Sequence, residues 1–146
     1  MRAFCRFMEI LRDYDAEENT VIAVQVQNEA GLLSATRRDF SEYGNRAFTG
    51  DVPAYLIQYG EEHPCSILGK AWQKNGAKKS GSWSEVFGSR GAEYLTAWSI
   101  ARYIDEMAAA GREIYDTFLY LNVWGDGGSR GSGRGLAGID WPAGCA

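Results

Sequence analysis

The sequence contains few of the residues that build metal centres and disulfide frameworks. Only three cysteines and one histidine occur among its 146 residues. Cys5, Cys65 and Cys145 are odd in number and match neither a metal-ligand spacing nor a disulfide pattern. His63 by itself cannot anchor a histidine-based zinc site. We therefore expect no disulfide framework and no metal site.

Positive charge and long apolar runs are also scarce. The chain has 15 Lys and Arg against 19 Asp and Glu, giving a net charge of −4 and a pI near 5.0. Phosphate binding needs a basic face, so this balance argues against nucleic acid as a partner. No apolar run approaches the roughly 20 residues that span a bilayer. The charged N-terminus is typical of an amphipathic helix rather than a signal peptide, and we expect no membrane partner.

Apolar and aromatic residues are plentiful. They make up 45% and 13% of the chain, fractions that are typical of a globular domain with a buried core. An almost unbroken apolar run, residues 21–27, is rich in Val and lacks Pro and Gly, which predicts a strand. The run is too continuous for a half-exposed antiparallel strand. It favours a parallel strand covered by helices.

Helices and a second strand are predicted around this run. Residues 2–13 have apolar side chains at helical spacing, residues 94–110 form the clearest helix, and Gly111 is a natural stop. Residues 117–124 are a second apolar strand. The order of helix, strand, long excursion, helix and strand predicts an α/β fold with parallel strands. The apolar residues that line one side of the helix at residues 94–110 are Leu95, Trp98, Ala101, Ile104 and Ala108.

The excursion at residues 31–91 is predicted to contain short helices. Pro53 suits the first position of a helix that ends near Glu62, and Ser66 suits the cap of another that ends at Gly76. Residues 78–88 have the composition of a loop. A connection this long within one domain is usually functional when it is not disordered.

Asn28 and Glu29 follow the first strand directly. In parallel α/β proteins the chemistry lies at the carboxyl ends of strands, where the βα loops begin. A carboxylate partly shielded by strand ends can act as a general acid and base, and the amide beside it can bind a sugar hydroxyl. The alternative is that Glu29 only ends the strand and faces solvent.

Five segments together resemble a known enzyme family. They are VIAVQVQNEAGLL, VPAYLIQYGEEHP, LGKAWQKNGAKKSGSWSEVFG, YLTAWSIARYIDEMAAAGREIY and FLYLNVW. In this order they resemble successive parts of clan-A glycoside hydrolases, specifically the beta-galactosidase-like members related to family 35. The resemblance covers roughly residues 1–124.

The resemblance implies a fold and an activity. The fold is part of a (β/α)8 TIM barrel with parallel strands and a long helical βα insertion, in which the two strands correspond to barrel strands four and five. The activity is retaining hydrolysis of a β-linked sugar, with Glu29 as the general acid/base and Asn28 binding the substrate. The implied partner is a carbohydrate, and no cofactor is implied.

The chain also departs from the family pattern. A complete barrel needs eight strands and about 250 residues, and no position here matches the family's nucleophilic glutamate. We expect residues 1–124 to be a truncated hydrolase segment with little turnover, and residues 125–146 to be a Gly-rich tail that is flexible or non-native. One alternative is a noncatalytic, carbohydrate-binding fragment that self-associates as a homo-oligomer through exposed strand edges. Another is a small complete hydrolase built around Glu29 and Glu85.

Three further residues are candidate substrate contacts. Trp83 lies in the loop-like stretch, where its ring could stack on a sugar or pack the loop itself. Asn122 and Trp124 end the second strand and share one of its faces, because side chains alternate along a strand. Whether that face lines a pocket stays open at this point.

Overall fold

The sheet of this protein consists of two parallel strands. The structure is a computed structural model that describes residues 1–31 and 37–123. Strand β1 is Ala23–Asn28 and strand β2 is Phe118–Asn122. They pair from Ala23 opposite Phe118 to Asn28 opposite Asn122. The predicted α/β class and the parallel pairing are therefore confirmed. The Gly-rich tail at residues 125–146 and the candidate Trp124 lie outside the described residues.

The helices occur before the sheet and between its strands. Helix α1 precedes β1, and the last helix, α6, leads into β2. The described ranges contain no helix that is long and apolar enough to cross a membrane. In chain order the helices are α1 Arg2–Asp15, α2 Glu42–Thr49, α3 Ala54–Glu62, α4 Ile67–Lys74, α5 Trp83–Phe87 and α6 Gly91–Ile114, with a 3-10 turn at Gly88–Arg90.

One hydrophobic cluster holds β1 against α6. Val26 of β1 packs with Ile104 and Met107 of α6, and Phe4 of α1 packs against this cluster. The sequence position of Gly111 predicts the end of the helix, but the helix continues past it to Ile114. Gly111 is buried inside α6, where a Cβ would lie 2.5 Å from Cε1 of Phe4. Gly111 therefore gives α1 room to pack against α6.

The predicted apolar stripe on α6 is only partly buried. Leu95 and Ile104 are in the core, but Ala101 is exposed. Ala101 borders a groove between α6 and β2 that also exposes Leu119 and Tyr120. Ala101 is exposed because no neighbouring element in the part of the chain that the structure describes covers this groove.

The excursion forms a helical unit with its own core. Trp83, Val86 and Phe87 of α5 pack with residues of α3 and α4 and with the first turns of α6. Residues 78–88 are thus not wholly a loop. Helix α5 begins with a capping box in which Ser82 and Glu85 exchange side-chain and backbone hydrogen bonds.

The other helix starts in the excursion agree with the sequence. Ser66 caps α4, and its hydroxyl accepts a hydrogen bond from the Gly69 backbone N–H at 2.9 Å. The sequence predicts Pro53 as the first residue of α3. In the structure it is the N-cap, and the helix begins one residue later, at Ala54. Arg37, where the second described range begins, forms an ion pair with Glu93 of α6 at 2.6 Å.

A buried carboxylate at the end of α1 binds the segments that precede both strands. Asp15 is 4% exposed and accepts hydrogen bonds from the Thr20 hydroxyl and from the backbone N–H groups of Thr20 at 2.9 Å and Val21 at 3.0 Å. The Tyr115 hydroxyl, between α6 and β2, donates to the same carboxylate at 2.8 Å. These bonds, the Thr20 hydroxyl foremost, lower the pKa of Asp15 to about 2 against the opposing effect of burial. The bond to Asp15 in turn raises the pKa of Tyr115.

These pKa shifts predict how stability depends on pH. The folded pKa of Asp15 is below its unfolded value of about 3.9. The ionised carboxylate therefore stabilises the folded state above pH 4, and this stabilisation is lost as the pH falls toward 2. The melting-temperature difference between wild type and Asp15→Asn should be small near pH 2 and reach a plateau above pH 4. Thermal melts followed by circular dichroism across this range measure it. A difference that does not change with pH would contradict the assignment.

The raised pKa of Tyr115 has the opposite consequence. Its contribution is present below the unfolded pKa of about 10 and is lost as the pH rises through the higher folded value. Tyr115→Phe should therefore remove part of the alkaline loss of stability. Tyr103→Phe, at an exposed tyrosine, should leave the alkaline profile unchanged.

Candidate active site at the carboxyl end of the sheet

Three of the predicted site residues meet where both strands end. Asn28 is the last residue of β1, Glu29 follows it, and Asn122 is the last residue of β2. Asn28 lies directly opposite Asn122 in the parallel register. The strand-end positions expected from sequence are thus brought together at one edge of the sheet.

Hydrogen bonds connect these residues. Asn122 Nδ2 donates to Asn28 Oδ1 at 2.9 Å, and the Glu29 backbone N–H donates to the Asn122 carbonyl oxygen at 2.8 Å. Gln25 Nε2 also donates to Asn28 Oδ1, at 3.1 Å. Asn122 therefore contacts both Asn28 and Glu29, through different atoms.

Gln25 is a site residue that the sequence did not reveal. In a regular strand, residues three apart point to opposite faces. Here the pairing shifts register between Gln25 and Gln27, and this bulge adds one residue to β1. The bulge allows the Gln25 side chain to reach Asn28. No local pattern in the sequence signals it.

Glu29 is exposed and has an unusual backbone. Its φ is +50°, in the left-handed region that few residues other than glycine adopt. Its side chain is open to solvent, so the partial shielding expected from the strand ends does not occur among the described residues. Residues whose backbone is held in such a strained conformation are concentrated at functional sites, where the surrounding structure maintains the strain.

Glu29→Gly is expected to stabilise the protein. Left-handed backbone costs a residue with a Cβ about 1–2 kcal/mol, and glycine's extra unfolded-state entropy offsets about 0.5–1 kcal/mol of that. The net gain in the free energy of unfolding should lie between zero and about 1.5 kcal/mol. Urea denaturation measures it. Ala77→Gly, at a φ of +51°, is the matched control and should show a similar gain.

A loss of stability in Glu29→Gly alone would mean that the Glu29 side chain makes stabilising contacts. A loss in both variants would mean that neither backbone is strained.

Trp83 is not available as a substrate contact. Its side chain is 1% exposed, and its ring packs against Trp98 and Phe87 with centroid distances of 5.5 and 6.0 Å. Of the two roles that the sequence leaves open for Trp83, the structure shows the ring packed into the core of the excursion.

Glu85 has a structural role. Its carboxylate accepts hydrogen bonds from the Ser82 hydroxyl at 2.6 Å and from the Ser82 backbone N–H at 2.8 Å. These two bonds lower the pKa of Glu85. A carboxylate engaged in a helix cap is a poor candidate for a second catalytic group.

No metal-binding cluster is seen in the part of the chain that the structure describes: no three His, Cys, Asp or Glu side chains there are placed to hold an ion. No family model matches the chain, and no curated protein is significantly similar to it. Within the two described ranges the molecule is a mixed α/β protein with a two-stranded parallel sheet.

Proposed function

We propose that the chain is the part of a retaining (β/α)8-barrel glycoside hydrolase, beta-galactosidase-like, that carries the general acid/base. The observation that carries this proposal is the position of Asn28 and Glu29 at the carboxyl end of a parallel strand, bonded to the end of its neighbour. Active sites of (β/α)8 barrels lie at this end of the strands. The resemblance of five ordered segments to family 35 relatives supports the same assignment.

Glu29 would perform two proton transfers in this mechanism. As an acid it protonates the glycosidic oxygen while the bond from that oxygen to the sugar C1 breaks. As a base it then takes a proton from the water that releases the sugar from the nucleophile. The exposed carboxylate of Glu29 is accessible to a substrate. Asn28 offers an uncharged amide beside it for a sugar hydroxyl.

The unpartnered surfaces support a barrel segment. Each barrel strand pairs on both sides, whereas β1 and β2 in the described ranges pair only with each other. The groove between α6 and β2, with a volume of about 240 Å³, has an apolar floor of Val26, Ile104 and Leu119. In a barrel, a further βα unit would cover it. The exposed apolar residues beside the open strands and on α1 are Phe7, Ile10, Tyr14, Ile22, Phe118, Tyr120, Leu121 and Val123.

The role of Glu29 as a base can be tested with a substrate that reacts without the catalytic nucleophile. In α-galactosyl fluoride the fluorine occupies the face of C1 on which the nucleophile would act. The C1–F bond breaks, an acceptor sugar's oxygen bonds to C1, and Glu29 takes the acceptor's proton. Wild type should release fluoride above background and hydrolyse nitrophenyl β-galactoside negligibly.

Two matched variants complete the test. Glu29→Gln should reduce fluoride release to background, while Glu85→Gln should leave it unchanged because that carboxylate caps α5. Equal release by wild type and Glu29→Gln would overturn the proposal. A loss in Glu85→Gln equal to that in Glu29→Gln would favour the small complete hydrolase built around both carboxylates.

A second candidate is a noncatalytic, carbohydrate-binding fragment that self-associates. The observation that favours it is the same exposed β2, whose open edge can pair with another copy. Sedimentation of the purified chain should then show dimers or larger species. Leu121→Lys on β2 should dissociate them, whereas Tyr14→Lys on α1 should not. A monomer with a cooperative melt would count against this candidate.

A further inference from the structure

The Asn28 amide oxygen faces two other side-chain amides. Its Oδ1 accepts hydrogen bonds from both Gln25 Nε2 and Asn122 Nδ2, at 3.1 and 2.9 Å. An amide oxygen has two lone pairs, so this oxygen is fully used. Among the described residues, Asn28 Nδ2 donates to no protein acceptor, and the residue is exposed.

The three amides hold one another in this orientation. If Asn28 alone turned over, its NH2 group would face two other NH2 groups and both hydrogen bonds would be lost. Only a simultaneous rotation of all three would restore the bonds, so each amide stabilises the orientation of the others. In the structure the Asn28 oxygen faces the other two amides, which leaves the Asn28 nitrogen, a donor, as the outward group.

We propose that Gln25 and Asn122 are positioning residues that hold the Asn28 amide nitrogen outward, so that this end of the sheet binds an uncharged oxygen acceptor of a ligand. The identity of that ligand as a sugar rests on the proposed function, whereas the orientation of Asn28 does not. A hydroxyl oxygen can accept from Asn28, and an ammonium group, which has only donors, cannot.

Asn122 allows the amide polarity to be changed without moving Glu29. Its carbonyl oxygen holds the Glu29 backbone, and only its side chain orients Asn28. In Asn122→Asp the side chain can only accept, which forces Asn28 to turn its nitrogen inward and its oxygen outward. Asn122→Leu removes the donor without adding a charge and is the matched control. Both variants keep the backbone bond to Glu29.

The orientation is measured without any ligand. In the full chain labelled with ¹⁵N and ¹³C, scalar couplings across the hydrogen bonds should join the side-chain nitrogens of Gln25 and Asn122 to the Asn28 side-chain carbonyl carbon. In Asn122→Asp the coupling should instead join the Asn28 side-chain nitrogen to the introduced carboxyl carbon. Absence of the wild-type couplings, with the chain folded by its backbone spectrum, would overturn the proposal.

The ligand is tested by titrating methyl β-galactoside. Losing one hydrogen bond to a neutral group should weaken binding by up to about tenfold in Asn122→Asp, with a smaller loss in Asn122→Leu. Wild-type couplings without any sugar binding would leave the positioning pair standing and count against the proposed function. Sugar bound equally by wild type and Asn122→Asp would overturn the role of Asn28 as the outward donor.

Discussion

Trp83→Ala is expected to lower the free energy of unfolding by about 3–5 kcal/mol, the range for truncating a buried aromatic side chain. The Trp83 side chain is 1% exposed and packs against Trp98 and Phe87. It joins helices α3, α4, α5 and α6 in one hydrophobic cluster. Removing the indole leaves a cavity at the point where these helices meet.

Urea denaturation of three variants tests this role. Trp83→Phe keeps an apolar ring and should cost less than Trp83→Ala. Tyr43→Ala, at a tyrosine that is 79% exposed, is the matched control and should change stability by less than about 0.5 kcal/mol. If Trp83→Ala were as stable as wild type but lost carbohydrate binding, Trp83 would be a substrate contact after all.

Much of the architecture follows from local sequence patterns. The apolar run at residues 21–27 predicts β1, and the order of elements predicts the parallel pairing with β2. Once two strands are parallel, their carboxyl ends lie at the same edge. This geometric rule is why the sequence could anticipate that Asn28, Glu29 and Asn122 meet.

The features that were not predicted depend on long-range contacts. Gly111 has the sequence position of a helix stop, yet it is retained inside α6 because Phe4, over a hundred positions earlier, packs against it. Gln25 reaches the site only through a bulge in β1. Asp15 lies in a polar stretch, and its buried carboxylate is satisfied by Tyr115 and by the residues just before β1. Each depends on a partner that no local window contains.

The Ser82 and Glu85 pair is different, because its signal was present. A serine followed three positions later by glutamate, ahead of apolar residues, is the sequence pattern of a capping box. The flanking glycines and lysines at residues 76–81 favour a loop and obscure this pattern. With the cap recognised, α5 and the burial of Trp83 follow together.

Gly91→Ala should be strongly destabilising although it improves helix propensity. Gly91 is the first residue of α6, is buried and has ordinary helical angles, φ −54° and ψ −37°. Propensity alone would therefore favour alanine by about 1 kcal/mol. A Cβ at this position would lie 2.6 Å from the Trp83 carbonyl carbon and 2.9 Å from the Ser84 nitrogen. Because both are backbone atoms, relief requires α5 and α6 to separate.

We expect Gly91→Ala to cost about 3 kcal/mol, at the upper end of the usual range for overpacking. Gly111→Ala in the same helix is the matched comparison and should cost less, because its Cβ meets the side chains of Phe4 and Met8, which can shift. Phe4→Leu should partly rescue Gly111→Ala and should not rescue Gly91→Ala. Chemical denaturation of the three single variants and of the two double variants with Phe4→Leu measures both effects. Equal costs at the two glycines, or rescue of both by Phe4→Leu, would mean that α5 and α6 do not pack through their backbones.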